Sequence, residues 1–396
     1  MLPRVLGLVL LAQVLCATAA QFNLTKEYSG SSFFDDWDYY GAYDASTYGA
    51  EVYVTKAQAG SLTSVSPAGH ALIRLDNTTD VPYPGKRNSV RLTTQQWFGV
   101  GTLWVVDAIH IPFGCSVWPA IWTSGANWPN NGEIDIIEGV NQVAWNQMSI
   151  HAAQGCTVPP SPKQSGNLTE GDCSQGVGCV VEENTPNSYG KAFADNGGGV
   201  WAAQYDSTGI FIWFWPRNKL PANLQTPSDT LDISSWGTPS AAYASPTCNI
   251  TEFFGGQQMI IDIALCGEGA DSPGVYAQTC GDTQTNACYL DNVINNGSAA
   301  YADAYFELAA IRAFSPAGTT TVFGSAAAAG VAPGPNGTAT AGAPAASGSS
   351  GGGGGGSGGG AAGGGSGGAT GGALRLGTGW ELALFAGGVG ALGALL

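Results

Sequence analysis

Between residues 21 and 323 the chain contains no long stretch with an apolar residue every three to four positions. It therefore has nothing from which a helical core could be assembled. It offers instead short apolar or alternating runs, cut by Gly, Pro, Asn and Asp, at 89–92, 103–106, 148–151, 210–215 and 259–265. Ser207-Thr208-Gly209 reads as a hairpin turn between runs at 200–205 and 210–215. Many short strands without crossover helices predict an all-β fold, a sandwich of two antiparallel sheets of jelly-roll type. No internal repeat is evident, and about 300 residues suit one large sandwich domain, 21–323. The segment 156–195, rich in Gly, Pro, Ser and Cys, is expected to be a long loop stapled by disulfides.

The ends differ in kind from this body. Arg4 precedes an apolar run at 5–15 and then Cys16-Ala17-Thr18-Ala19-Ala20, the pattern of a secretory signal peptide over residues 1–20. The run is too short to span a bilayer. From Ala313 to Leu374 no residue is charged, and 351–356 is unbroken Gly. Such a stretch buries too little apolar surface to offset its ordering entropy, so 324–372 is expected to be a spacer. Small residues, a polar spacer and the apolar run at the C-terminus match a glycosylphosphatidylinositol attachment signal at 373–396, with the attachment point near 366–372. A terminal membrane helix is the competing reading, weakened by Glu381 and the glycines around it. Localisation is accordingly expected at the cell surface or cell wall.

Cys16 leaves with the signal, and eight Cys remain, an even number that predicts up to four disulfides in an oxidising compartment. Cys173 and Cys179 are too widely spaced for a zinc knuckle, and no His follows at finger spacing. Sequons at Asn23, Asn77, Asn167, Asn249, Asn296 and Asn336 agree with a secretory route. A net charge of −16 gives no electrostatic footprint for nucleic acid or anionic lipid. Charged residues are only 11% of the chain while 12 are Trp, which suits a neutral, polar ligand.

The chemistry lies in Asn130-Asn131-Gly132-Glu133-Ile134-Asp135-Ile136-Ile137-Glu138-Gly139. Glu133 and Asp135 are two apart and share one face of a strand. Glu138 is five from Glu133 and would face away in a regular strand. A β-bulge at the doublet Ile136-Ile137 would return it to the same face. Three such acids repel one another, and none has an adjacent Lys or Arg. Glycoside hydrolysis needs this arrangement, with one carboxylate attacking the anomeric carbon and another, protonated, serving the leaving oxygen. A third acid between them sets their proton affinities apart. A Ca²⁺ loop would need a Gly-broken turn rather than a strand.

Glu133-Ile134-Asp135-Ile136-Ile137-Glu138 resembles the active-site strand of glycoside hydrolase family 16 in its bulge-containing laminarinase form. The likeness extends to Asp107-Ala108-Ile109-His110-Ile111-Pro112, Trp118-Pro119-Ala120-Ile121-Trp122, Asn127-Trp128-Pro129, Asn146-Gln147-Met148-Ser149-Ile150-His151 and Leu265-Cys266-Gly267, as in secreted fungal endo-β-1,3(4)-glucanases. The resemblance covers about residues 25 to 315. It implies two curved sheets with an open substrate cleft and a retaining mechanism. It makes Glu133 the nucleophile, Asp135 its assisting acid and Glu138 the general acid/base. The implied partner is β-glucan, with no cofactor and no metal, and a monomer is expected. The chain departs from the pattern in two places. Cys266-Gly267-Glu268-Gly269 stands where relatives often have Cys-Gly-Asp-Trp, and Gln204-Tyr205 stands for Glu-Trp. Both bear on substrate length or linkage preference.

Sugars present apolar C–H faces, so a glycan cleft needs flat aromatic surfaces. Trp122 and Trp128 are the candidates for binding, while Trp118 is divided between cleft and core. Trp213 and Trp215 are expected in the core. The resemblance places His151 at the leaving-group side and Arg91 at the glycone side. His110 is expected to be structural. A non-catalytic glucan-binding wall protein and a wall transglycosylase are the competing functions. The acid triplet disfavours the first, and the Ile136-Ile137 doublet distinguishes the chain from wall crosslinkers that lack the extra residue.

Overall fold

The computed structural model describes residues 21–281 and 287–326. The expected leader 1–20, the expected attachment signal 373–396 and all but residues 324–326 of the expected spacer lie outside the described residues. Two large antiparallel sheets dominate the described residues, as the alternating runs require. The outer sheet has nine strands, in the order Thr230–Asp232, Gln21–Ser29, Tyr305–Pro316, Thr102–His110, Gly199–Asp206, Gly209–Pro216 and Ala241–Ala244, with Ala71–Arg74 and Thr63–Val65 added beside Tyr305–Pro316. The inner sheet has ten. Its main path runs Asn167–Glu170, Cys179–Glu182, Gln147–His151, Glu133–Glu138, Val117–Gly125, Gln257–Leu265, Arg91–Thr94 and Trp37–Tyr39. This is the jelly-roll sandwich expected from the sequence.

The alternation of each strand explains the layers. In Thr102–His110, Trp104 and Val106 enter the main core between the sheets, with Ile121, Ile134, Ile136, Ile137 and Ile261 opposite them. Leu103 and Val105 point the other way, yet they too are buried. They belong to a second, smaller core on the back of the outer sheet, with Phe22, Val200, Trp213, Leu231 and Trp236. Trp213 and Trp215 are thus buried or half-buried as expected, but under this second layer, where both meet Trp236 edge-on. Tyr205 lies in the main core, stacked on Trp104 with its hydroxyl donating to Gly255 O at 2.7 Å. The Gln204-Tyr205 departure therefore changes core packing at Tyr205.

The hairpin at Ser207-Thr208 is present, with Asp206 paired to Gly209. The segment 156–195 is more ordered than its composition suggests. It supplies the edge strand Asn167–Glu170, its neighbour Cys179–Glu182 and the short helix Gly190–Asp195. The eight cysteines form four disulfides, Cys115–Cys280, Cys156–Cys248, Cys173–Cys179 and Cys266–Cys288. Cys156–Cys248 ties the 156–195 excursion back to the body, and Cys173–Cys179 closes a short loop within it. His110 is buried against Tyr305, its Nδ1 2.8 Å from Tyr305 O, as a structural histidine. Among the described residues no helix is long and apolar enough to cross a membrane.

Thiol titration of the denatured, unreduced protein should find no reactive cysteine. Replacing both Cys156 and Cys248 by Ser should lower stability by about 2–4 kcal/mol, read from denaturant unfolding, because the bridge closes a long loop. A free-thiol count of two or more in the wild type would contradict the pairing.

Candidate active site

The strand Glu133–Glu138 lies between Val117–Gly125 and Gln147–His151. On one side Ile121 pairs with Ile137, but Trp122 pairs with Asp135, so Ile136 is skipped. On the other side Ile136 and Ile137 together face the single residue Met148, between the pairs Asp135–Ser149 and Glu138–Gln147. This is the bulge the doublet called for. Ile134, Ile136 and Ile137 all enter the core. Glu133, Asp135 and Glu138 are left on the opposite face, interacting electrostatically with one another. Gly132, just before the strand, has a φ of +73°, and a Cβ there would meet the Phe254 ring at 2.1 Å. Only glycine turns the chain into the strand at that point.

A bulge leaves ladder groups without partners, and here a buried asparagine takes them. Asn146 Oδ1 accepts from the Glu138 backbone N–H at 3.0 Å, and its Nδ2 donates to Ile136 O at 3.1 Å and Gln147 O at 2.9 Å. Sequence reasoning gave Asn146 no role of its own. Its signal is weak, a lone amide one residue before a strand.

Each acid has its own donors. Trp128 Nε1 donates to Glu133, and Trp118 Nε1 donates to Glu138 at 2.9 Å. Gln147 Nε2 reaches the second Glu138 oxygen at 3.3 Å. Ser149 Oγ donates to Asp135 at 2.6 Å, and His151 Nε2 is 3.4 Å from the same carboxylate. Burial first, and the Asp135 charge second, hold both Glu133 and Glu138 well above the ordinary carboxylate range. His151 is also buried, which disfavours its cation. The Asp135 hydrogen bond and charge outweigh this, aided by Glu133 and Glu138, and push the imidazole up to about 9. The cluster thus shares protons among its acids and carries one cation. Glu133, Asp135 and His151 present ligand atoms within 4.8 Å of one another.

The predicted binding residues fall into two groups. Trp128 is 56% exposed and lies beside His151, with ring centroids 6.4 Å apart. Trp122 and Arg91 lie on the other side, stacked together at 5.1 Å, with Tyr40 on Arg91 at 4.9 Å. Trp118, left open by the sequence, is half-buried and bonded to Glu138. Sequence reasoning missed Asp262. It accepts from Trp122 Nε1 and from Tyr53 OH, each at 3.3 Å, and it pairs across the sheet with Arg91. Burial raises it to about 6, with Arg91 and the Trp122 hydrogen bond opposing. The available signal was one acid inside the apolar run 259–265.

This constellation, on the face of a bulged strand turned away from the core of a jelly roll, defines a class of β-sandwich built around a cluster of acids. Comparison with known proteins gives the family. Residues 37–314 match the model of the XgeA-like, catalytic GH16 domain. The chain belongs to glycoside hydrolase family 16. It is 35% identical over 324 residues to a probable endo-1,3(4)-beta-glucanase of Aspergillus fumigatus, covering 78% of this chain and 48% of that protein. To the endo-1,3(4)-beta-glucanase xgeA of Emericella nidulans it is 33% identical over 322 residues, covering 78% and 50%. The chain thus spans about half the length of these relatives. Among solved structures, Laminarinase 16A from Phanerochaete chrysosporium, with β-glucans in donor and acceptor sites, superposes with a TM-score of 0.70 at 33% identity. That match covers 74% of this chain and all of the other. An elongating family 16 beta-1,3-glucosyltransferase gives 0.68 at 33%, with the same coverage.

The charge pattern predicts a pH dependence of stability. Glu133 and Glu138 have raised pKa values in the fold, so their contribution is full below the ordinary carboxylate range and is lost as pH rises. His151 is raised to about 9, so its contribution is full below about pH 6.5 and is lost as pH rises through that folded value. All three have the same sign. The melting temperature should fall as pH is raised from about 5 to about 9. Glu133→Gln should melt higher than wild type at pH 8, and the gap should close toward pH 4. Calorimetry of both proteins across this range checks it.

Proposed function

We propose that this chain is a secreted, endo-acting hydrolase of β-1,3- or mixed β-1,3/1,4-glucan that works with retention of configuration. The observation that carries the reading is the set of three carboxylates brought to one face by the bulge, two of them with raised proton affinity, between tryptophan rings. Glu133 acts as nucleophile: burial and the Asp135 charge raise its proton affinity, and the neighbouring His151 cation and the Trp128 N–H oppose that rise. Glu138, kept protonated by burial and by Asp135, gives its proton to the leaving glycosidic oxygen as Glu133 bonds to the anomeric carbon. Glu138, now ionised, takes a proton from water, and the water displaces Glu133. Two inversions give net retention. Asp135 sets the protonation of its neighbours and forms no bond to the sugar. Trp128 and His151 serve the leaving-group side, and Trp122 and Arg91 the glycone side. The scheme requires neither metal nor cofactor.

Transfer to a second sugar is the alternative fate of the same glycosyl-enzyme, and one similar structure is described as a beta-1,3-glucosyltransferase. Product analysis on laminarin, lichenan and cellulose side by side separates hydrolysis from transfer and reads the linkage preference. We further propose domain limits at 1–20, 21–323, 324–372 and 373–396, a monomer, and attachment at the cell surface or wall through a lipid anchor. The composition of the two ends supports this. Phosphatidylinositol-specific phospholipase should release the protein from membranes unless it has passed to wall glucan.

Glu133→Gln should lower turnover on laminarin by at least about a thousand-fold while glucan binding is largely kept. Glu138→Gln should also be severe, but less so with an aryl glycoside whose leaving group needs no proton. NMR of the first product should show the β-anomer before mutarotation. An initial α-anomer, or full activity in Glu133→Gln, refutes the assignment.

A further inference from the structure

The four most exposed large apolar side chains among the described residues are Tyr48 at 73%, Tyr83 at 71%, Tyr43 at 65% and Trp128 at 56%. Trp128 stands at the acids. Tyr48 and Tyr83 stand elsewhere, lining a second concavity of about 620 Å³ with Lys86, Glu268 and Leu290 among others. Lys86 bridges it to Tyr43, with Nζ 5.8 Å from that ring and bonded to Gly49 O. Exposed aromatic rings clustered in this way are uncommon on a surface without a ligand. The volume falls within the range of about 300–1,000 Å³ typical of small-ligand sites.

The concavity adjoins the cleft through one short helix, Gly267–Ala270. Gly267 and Glu268 line the concavity, while Gly269 lies against Trp118, the ring that donates to Glu138. A Cβ on Gly269 would stand 2.7 Å from the indole. The Trp118 ring fills the space that a side chain at 269 would need. The tryptophan found here in the Cys-Gly-Asp-Trp pattern thus has no room in this chain. No aromatic ring stands at 269, and exposed aromatic rings are present one step further out.

Those rings are held in place. Asp44, buried, accepts from the Ser46 N–H at 2.9 Å, the Ser46 hydroxyl at 2.7 Å and the Gly49 N–H at 3.2 Å. The Glu268 N–H donates to Thr47 O at 3.0 Å, an approach permitted by Gly267, where a Cβ would lie 2.6 Å from Thr47 O. The loop so fixed carries Tyr48 with φ of +56°, an unfavourable backbone for a bulky residue, and its side chain goes into solvent. Tyr83 is braced edge-on by Tyr289 at 6.1 Å, whose hydroxyl donates to Gly85 O at 2.8 Å. Lys86, Glu268 and Asp271 put polar groups beside the rings.

We propose that this concavity is a distal glucosyl subsite, in which Tyr48 and Tyr83 stack on sugar faces of a glucan chain already bound across the acids. The inference rests on the reading of the chain as a β-glucan enzyme. Its occupant is a continuation of the same neutral polysaccharide, recognised by aromatic C–H stacking and hydroxyl hydrogen bonds. The concavity sits at the Arg91 end of the cleft, since Arg91 Nη1 contacts Ser46 of the same loop at 3.3 Å.

The test uses the full chain and a graded series of β-1,3-linked glucose oligomers. In wild type, kcat/KM and calorimetric affinity should rise with oligomer length beyond what the acid cleft alone accommodates. Tyr48→Ala and Tyr83→Ala should each remove roughly ten-fold of that gain for long oligomers and leave short ones unchanged. Tyr48→Phe should retain the gain. Both alanine variants should melt with wild type, since the side chains are exposed. An equal loss on short and long oligomers, no loss on either, or no length dependence in wild type would overturn the subsite. If wild type cleaves none of the oligomers yet binds long ones more tightly, and Tyr48→Ala abolishes that difference, the subsite stands and the hydrolase reading fails.

Discussion

One inserted residue governs the site. Without the bulge at Ile136-Ile137, strict alternation would send Glu138 into the core and bring an isoleucine out beside Asp135. With it, Ile134, Ile136 and Ile137 all stay in the core and all three acids stay out of it. The insertion breaks the ladder on both sides, and a broken buried ladder is costly unless its groups find partners. Asn146 is that partner. Its amide reproduces in one side chain the donor and acceptor that a regular neighbour would have offered. The chemical site therefore depends on a fully buried residue whose side chain bonds the backbone on either side of the bulge.

The second constraint is charge. Three carboxylates sunk into a face with little solvent cannot all ionise, and the chain supplies no Lys or Arg among them. Relief comes from His151, whose cation is stabilised by the acids it stabilises in turn. It also comes from single N–H and O–H donors, each aimed at one carboxylate. A histidine suits this better than an arginine. Its charge can be withdrawn, so the cluster can redistribute protons without moving a side chain.

Much of this was legible in the sequence because it is periodic. A period of two identifies strands, and a carboxylate at an odd spacing in an apolar strand identifies the bulge before any coordinates. Cysteine parity foretold that all eight pair, but not which with which. What escaped was whatever depends on contacts distant in sequence. Asp262 lies well over a hundred residues from Trp122, and its role follows only from the pairing of Gln257–Leu265 with Val117–Gly125. Trp213 and Trp215 read as core, yet the core in question is a second one, created by the excursion that carries Trp236 over the back of the outer sheet. The composition of 156–195 pointed to a loop because its two strands are short and the outer one, Asn167–Glu170, is largely polar, with Val180 and Val181 the main apolar signal.

The tryptophans join binding to protonation. Three of them use the indole N–H on a carboxylate: Trp118 on Glu138, Trp122 on Asp262 and Trp128 on Glu133. Each N–H favours the ionised form of its acid against the burial that opposes it. Of the three, Trp128 keeps an exposed face, while Trp118 packs on Gly269 and Trp122 under Arg91, so under the proposed function it is at Trp128 that a bound sugar would also fix the donor on the ring's edge. A sugar that covers Trp128 excludes water from Glu133 as well, and the loss of solvent raises the value of the one hydrogen bond that remains. In a chain with so few charges, the indole N–H groups thus take over at these carboxylates a task that cations perform elsewhere. For that reason the rings and the acids of this cleft cannot be treated as separate layers of the site.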